Sequence, residues 1–147
     1  MVGVLKDKNK FMTQYFKSEG DSVILLGKNK EELGGSEYLK IIHGQKKGKS
    51  PSIDLNLEKA VQKTVIEAIG KGLVRSAHDC SEGGFAVALA ECCITNPKRR
   101  FGVNVHLNQN NIRADALMFG ESQSRIILSA RGNDVAKILQ IAHRNKA

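Results

Sequence analysis

Cysteine, tryptophan and proline are scarce in this sequence. Its 147 residues include no tryptophan, two prolines and three cysteines. Cys80, Cys92 and Cys93 form no CxxC pair and have no metal-ligand spacing. Cys92 and Cys93 are adjacent in a helical pattern and cannot readily bridge each other. We therefore expect no disulfide framework, and a reduced, cytoplasmic protein fits this composition best.

Long apolar runs are also missing. The longest run, residues 85–90, is interrupted by Glu91 and is far too short to cross a bilayer. The opening segment MVGVLKDKNK lacks the basic, apolar and small-residue order of a secretory signal. We therefore expect neither a membrane partner nor secretion.

Positive charge is present in excess. The chain has 23 Lys and Arg against 15 Asp and Glu, which gives a net charge of +8. A basic balance favours anionic partners such as nucleotides, nucleic acid or acidic protein surfaces. Residues 45–51 and 98–100 concentrate lysine and arginine, but neither cluster has the interleaved aromatic residues or the signature of an RNA-binding module. Solvated surface loops are the simpler interpretation, and nucleic-acid binding is not favoured.

Hydrophobic patterning predicts an α+β domain. With 41% hydrophobic residues, a chain of this length can bury the core of one domain. Continuous or alternating apolar runs predict strands, and helical spacing predicts about five helices. The predicted strands span residues 22–27, 73–79, 101–107 and 125–129. Helices layered on a small mixed sheet of about four strands follow from this count.

Capping residues indicate where the helices begin and end. Ser36 is predicted to cap a short helix that Gly44 ends. That helix either packs on the sheet through Ile41 and Ile42, or offers Ser36 and Glu37 for a polar contact with a partner. Further caps are predicted at Asp54 or Asn56 and at Asn133.

The stretch from Ser76 to Ile94 predicts a strand, a tight turn and a helix. Gly83 and Gly84 allow a positive φ or a close approach of the backbone to a ligand, at the point where the first free N–H groups of the helix would point. Such a helix start can bind an anion. The polar residues just before it either cap the helix or, through a carboxylate, hold Mg²⁺ against a phosphate. Those residues are Asp79, Ser81 and Glu82.

A second polar cluster precedes the last predicted strand. Glu121, Ser122 and Gln123 follow Gly120 and lead directly into residues 125–129. Ligand contacts collect at loop ends on a rigid scaffold. We therefore treat these three side chains as candidate binding residues.

A cysteine nucleophile is not expected. His78 and Cys80 lie on one face of a predicted strand, but no third group is present to orient the histidine as in a catalytic triad. We predict no catalytic residue in this chain.

Three motifs carry a family resemblance. ELGGSEYLK at 32–40, SAHDCSEGGFAVALAE at 76–91 and FGESQSRIILS at 119–129 are similar, in order and rough spacing, to the C-terminal half of phosphoribosylformylglycinamidine synthases. That family belongs to the superfamily of aminoimidazole ribonucleotide synthase and selenophosphate synthetase. The resemblance covers essentially the whole chain.

The resemblance implies a C-terminal lobe that is inactive alone. Residues 1–19 would be a linker from a preceding lobe, and residues 20–147 the lobe itself. The family converts formylglycinamide ribonucleotide, ATP and glutamine-derived ammonia to the amidine, with release of ADP, phosphate and glutamate, and it needs Mg²⁺. The implied partners are the preceding lobes, a glutaminase subunit or domain, and a small-molecule nucleotide.

The resemblance also implies roles for the two polar clusters. Asp79, Gly83 and Gly84 would line a cleft shared between lobes, and residues 121–123 match a substrate-contacting motif of the first-half copy. In this family one of two pseudo-symmetric sites is catalytic and the other can hold an auxiliary nucleotide. A free-standing polyanion-binding module and a structural dimerisation lobe remain the alternatives.

Overall fold

The chain contains eight regular elements among the residues that the structure describes. The structure is a computed structural model, and it describes residues 4, 5, 7–107 and 111–147. In chain order the elements are β1 (Ser22–Leu26), α1 (Glu37–His43), α2 (Leu55–Gly70), β2 (Val74–Asp79), α3 (Gly84–Ile94), α4 (Ala114–Phe119), β3 (Ile126–Ala130) and α5 (Gly132–Asn145). Residues 1–3 and 6, in the predicted linker, and residues 108–110 lie outside the described part.

The three strands form one antiparallel sheet. The strand order is β1-β3-β2, so β3 is central and pairs with both neighbours. Leu128 stands opposite Ile24 on one side and Ala77 on the other. The α+β class is confirmed, but the sheet has three antiparallel strands rather than about four in a mixed arrangement.

Each face of the sheet is covered by helices. Successive strand residues point to opposite faces, and Leu128 and Ile127 accordingly belong to two different buried clusters. On one face α2 and α5 pack against the strands; the largest buried members there are Ile24, Leu26, Leu57, Val61, Val65, Val74, Leu128, Ile138 and Ile141. On the other face α3 contributes Phe85, Ala88, Leu89 and Cys92. Within the described ranges, none of the helices is long and apolar enough to cross a bilayer.

The strand predicted at 101–107 is wrong. This segment has no strand assignment over its length. Phe101, Val105 and Leu107 nevertheless pack against the second cluster, which accounts for the alternating pattern. Alternation reports burial of one side of an extended segment, whereas a strand also needs a partner edge for its hydrogen bonds.

The local capping predictions are mostly confirmed. The Ser36 side chain accepts a hydrogen bond from the Leu39 N–H, and Gly44 ends α1 with a φ of 63°. The Asp54 carboxylate accepts from two N–H groups at the start of α2. Asn133 is not a cap, because α5 starts at Gly132.

Helix α1 does not pack on the sheet through its isoleucines. Ile41 is 71% exposed and Ile42 is 63% exposed, and no residue of α1 is buried. Tyr38 instead stacks on Phe119 of α4 with ring centroids 4.9 Å apart. The packed part of the lobe also begins before residue 20, since Phe16 is buried and its N–H donates to the Cys92 carbonyl.

We expect the buried serine pair between β2 and β3 to couple strongly. The hydroxyl oxygens of Ser76 and Ser129 are 2.6 Å apart, and both residues are buried. Ser129→Ala would leave the Ser76 hydroxyl buried without its partner, and should lower the free energy of unfolding in urea by about 1–3 kcal/mol.

The double variant tests this coupling. Ser76→Ala combined with Ser129→Ala should recover much of that loss, because neither polar group is then left unsatisfied. Ser50→Ala, at an exposed serine, is the control. Simple additivity of the two single changes would contradict the prediction.

Candidate functional site

Two helix starts meet at one carboxylate. Oε1 of Glu121 accepts hydrogen bonds from the backbone N–H of Glu37 at 2.8 Å and of Gly83 at 2.9 Å. Glu37 is the first residue of α1, and Gly83 immediately precedes α3. A negative charge is favourable at the positive end of a helix and satisfies N–H groups that lack a partner within it. This contact brings the three sequence motifs together.

The glycine pair before α3 is required by the backbone. Gly83 and Gly84 have φ angles of 78° and 67°, a region that side chains disfavour. A Cβ on Gly84 would also lie 2.4 Å from the Gly120 carbonyl oxygen. The turn therefore closes directly against the loop that carries Glu121.

The acidic side of this turn is open to solvent. The Asp79 side chain is 68% exposed and accepts a hydrogen bond from the Ser81 hydroxyl. That hydrogen bond lowers the pKa of Asp79 against the opposing effect of partial burial, so the carboxylate is ionised at neutral pH. Ser81 and Glu82 are exposed beside it.

Capping of α3 by the residues before it is not observed. Helix α3 has no side-chain hydrogen bond at its cap. The Gly83 N–H is bound by Glu121 instead, and the Gly84 N–H donates to the Ser81 carbonyl. The capping alternative for Asp79, Ser81 and Glu82 is therefore wrong.

The side chains of Glu121, Ser122 and Gln123 have three different environments. Glu121 turns to the two helix starts, while Ser122 is buried and its hydroxyl lies 3.5 Å from the Lys30 carbonyl oxygen. Gln123 is exposed, and its amide donates weakly to the Glu121 carbonyl at 3.3 Å. Among the three, Gln123 is the side chain that solvent reaches freely.

Arg125 supports the loop from inside and was missed by the sequence analysis. It is 2% exposed, and its Nε and Nη1 donate to the Ser122 carbonyl and to Asn29 Oδ1, both at 3.1 Å. Nη2 donates to the Gly120 carbonyl. Burial lowers the pKa of Arg125. The sequence feature that could have identified Arg125 is a charged residue directly before an apolar strand.

A small basic cavity adjoins the α1 start. It measures about 410 Å³ and is lined by residues 35–37, Lys40 and residues 45–48. Lys40 also forms an ion pair with Glu37 at 2.8 Å. The larger groove, about 890 Å³, lies between β1 and residues 99–107 and contains none of the predicted site residues. The candidate site is therefore placed at the joined helix starts.

The buried thiols are not activated. Burial raises the pKa of Cys80 to about 11 and that of Cys92 to about 12. His78 Nε2 lies 2.8 Å from Glu91 Oε2, across β2 and α3. In the part of the chain that the structure describes, no group of three His, Cys, Asp or Glu side chains could hold a metal by itself.

The chain is similar to one family over almost its whole length. Residues 18–147 match the family described as AIR synthase related protein, C-terminal domain. The phosphoribosylformylglycinamidine synthase subunit PurL of Caldanaerobacter subterraneus subsp. tengcongensis is 45% identical over 146 residues, which are 99% of this chain and 19% of that protein. The same subunit of Alkaliphilus metalliredigens is 49% identical over 131 residues, 89% of this chain and 17% of that protein.

A solved structure has the same fold. The chain described as T. maritima PurL complexed with FGAR superposes with a TM-score of 0.75 at 19% identity, covering 95% of this chain and 24% of that one. The present chain spans about a fifth of the length of the curated relatives that it matches.

We expect Gly84→Ala to be strongly destabilising. The positive φ and the overlap with the Gly120 carbonyl together should lower the free energy of unfolding by about 3 kcal/mol. Gly132→Ala is the matched control, because nothing lies within 4 Å of its added Cβ and alanine favours the start of α5. Equal denaturation midpoints for the two variants would refute the close approach.

We expect the Cys80 thiol to react slowly. With a pKa of about 11, its alkylation by iodoacetamide at pH 8 should be roughly a hundredfold slower than in the unfolded chain, as measured by mass spectrometry. The rate should keep rising above pH 9. Because the folded pKa is raised, the stability from burying the neutral thiol is lost as pH rises from about 8.5. A rate that levels off near pH 7 would indicate an activated nucleophile.

Proposed function

The chain belongs to the family of AIR synthase related protein C-terminal domains, and we propose that it forms the C-terminal lobe of a phosphoribosylformylglycinamidine synthase. The complete enzyme would convert formylglycinamide ribonucleotide, ATP and glutamine to the amidine, ADP, phosphate and glutamate. The lobe, predicted at residues 20–147 and extended to Phe16 by the packing of that side chain, would be inactive alone. The residues before Phe16 would connect it to a preceding lobe.

The observation that carries this proposal is the meeting of three motifs at Glu121. Its carboxylate holds the ELGGS turn against the SEGG turn, and each segment belongs to the stretch that the PurL relatives match at 45% identity. An exposed acidic turn lies beside this contact, and three lysines line the adjoining cavity. This arrangement suits one wall of a cleft for an anionic ligand.

The proposed cleft residues divide into contacting and supporting groups. Side chains on the solvent side would reach the ligand or the neighbouring lobe; these are Asp79, Ser81, Glu82 and Gln123. Residues that are buried or bound internally would hold the loops in place; these are Gly83, Gly84, Glu121 and Ser122. The observed exposures support this division.

ATP and Mg²⁺ would bind at this cleft when the other lobes complete it. Mg²⁺ is usually held by one or two carboxylates together with substrate phosphates, so the exposed, ionised Asp79 fits as a single protein ligand. The ion would neutralise charge on the phosphates during transfer. Ammonia would come from a glutaminase subunit or domain.

We propose that the complete enzyme works in the cytoplasm.

We expect Asp79→Asn to weaken the use of Mg²⁺. In the polypeptide that joins this lobe to the others, the variant should need at least about tenfold more Mg²⁺ for half-maximal synthase activity, since a neutral amide replaces a charged ligand. The melting temperature should change little because the side chain is exposed. Glu31→Gln, at an exposed carboxylate, is the control.

Three results would count against the proposal. An unchanged Mg²⁺ dependence in Asp79→Asn would remove the metal assignment. Absence of synthase activity in the complete wild-type polypeptide would reject the function. Binding of nucleic acid by the lobe with a steep dependence on salt would instead favour the polyanion-binding alternative.

A further inference from the structure

We propose that Glu121 is the positioning residue of the candidate site and is not itself a substrate contact. Its carboxylate fixes the starts of α1 and α3 side by side, so that the two glycine turns form one rigid wall. This inference rests on the proposed function for what the wall binds. The positioning itself follows from the geometry.

The geometry gives Glu121 two fixed donors. Oε1 accepts from Glu37 N at 2.8 Å and from Gly83 N at 2.9 Å. These donors are separated from Glu121 by 84 and 38 positions in the sequence. One oxygen therefore links three segments that no local hydrogen bond could join.

Helix α1 depends on this link. It buries none of its own residues, and Tyr38 stacks on Phe119 with ring centroids 4.9 Å apart. Ser36 is the N-cap of α1, and its side chain accepts a hydrogen bond from the Leu39 N–H. Without Glu121, the first turn of α1 would lose a charged hydrogen bond, and such bonds are stronger than neutral ones.

The Glu121 backbone is held on both sides. Arg125 donates to the carbonyl groups of Gly120 and Ser122, and the Glu121 N–H lies 3.3 Å from the Glu32 carbonyl oxygen. A buried guanidinium thus fixes the residues before and after Glu121. The carboxylate is placed at the helix starts before any ligand arrives.

This placement changes the expectation drawn from the family resemblance. The resemblance matched Glu121, Ser122 and Gln123 to a substrate-contacting motif of the first-half copy. Here Glu121 is engaged with the protein and Ser122 is buried, whereas Gln123 is exposed. Contact with the ligand therefore falls to Gln123 within this motif.

Amide hydrogen exchange of the 147-residue chain tests the positioning role. In the wild type, the amides of Glu37 and Gly83 should be protected at least about tenfold relative to an unstructured chain. Glu121→Ala should raise exchange at both amides by about tenfold or more, with core amides such as that of Leu128 unchanged. Glu121→Gln keeps an oxygen acceptor without the charge, so exchange at both amides should lie between the rates of the wild type and of Glu121→Ala.

The exchange experiment has a control variant and three results that would contradict the inference. Glu31→Ala removes an exposed carboxylate and should change neither amide. Unprotected Glu37 and Gly83 amides in the wild type would overturn the inference even if Glu121→Ala failed to fold. Faster exchange at only one of the two amides would also overturn it. So would an equal loss of amide protection in Glu121→Gln and Glu121→Ala.

Kinetics of the complete polypeptide separate positioning from contact. Glu121→Ala should reduce kcat/KM by about tenfold or more, and Glu121→Gln should restore part of it, because the amide oxygen keeps an acceptor in place but lacks the charge. Gln123→Ala should mainly raise KM. A Gln variant as impaired as the Ala variant would assign Glu121 to substrate contact. Inactivity of the wild type would reject the proposed function, while the exchange experiment still decides the positioning role.

Discussion

The hydrogen bonds from two helix starts to one Glu121 oxygen are the interaction on which the site depends. The sheet and its helices would exist without them, since the two buried clusters lie elsewhere. The orientation of α1 relative to α3 would not be fixed in the same way, because none of the residues of α1 is fully buried. A charged acceptor compensates for this, as it satisfies free N–H groups and interacts favourably with both helix ends.

Arg125 shows how the lobe preserves that interaction. Burying a guanidinium is unfavourable unless its donors are satisfied, and here Nε, Nη1 and Nη2 each find an oxygen acceptor. The same hydrogen bonds fix the loop of residues 120–122. Close backbone contact between Gly84 and Gly120 completes the arrangement. The buried part of the site is therefore held in place by hydrogen bonds and close backbone contact, and its exposed part is polar.

The role that we propose for the lobe is that of one wall of a binding cleft. Its buried cysteines are neutral at physiological pH, since burial raises the pKa of Cys80 to about 11. The exposed Asp79 is ionised, and lysines line the neighbouring cavity. In the function that we propose, this surface would bind phosphates with a cation between them, and the other lobes would supply the groups that activate the substrate. This division agrees with a chain that spans about a fifth of its relatives.

Sequence alone determined the features that depend on near neighbours. The caps at Ser36 and Asp54, the end of α1 at Gly44 and the α+β class are set by residues within a few positions, whose hydrogen bonds and spacing are local. The comparison of motifs likewise gave the family. Local pattern also misled, since alternation at 101–107 came from packing on one side without a partner strand.

Only the tertiary structure decided how the site is built. The partners of Glu121 lie 38 and 84 positions away, and no periodicity encodes a contact at that separation. The same holds for Arg125 and Asn29, and for the exposed isoleucines of α1, whose burial depends on which element lies beside them. Long-range hydrogen bonds are set when the packed sheet and helices bring distant loops together. A carboxylate that looked like a ligand contact therefore proved to be bound by the protein itself.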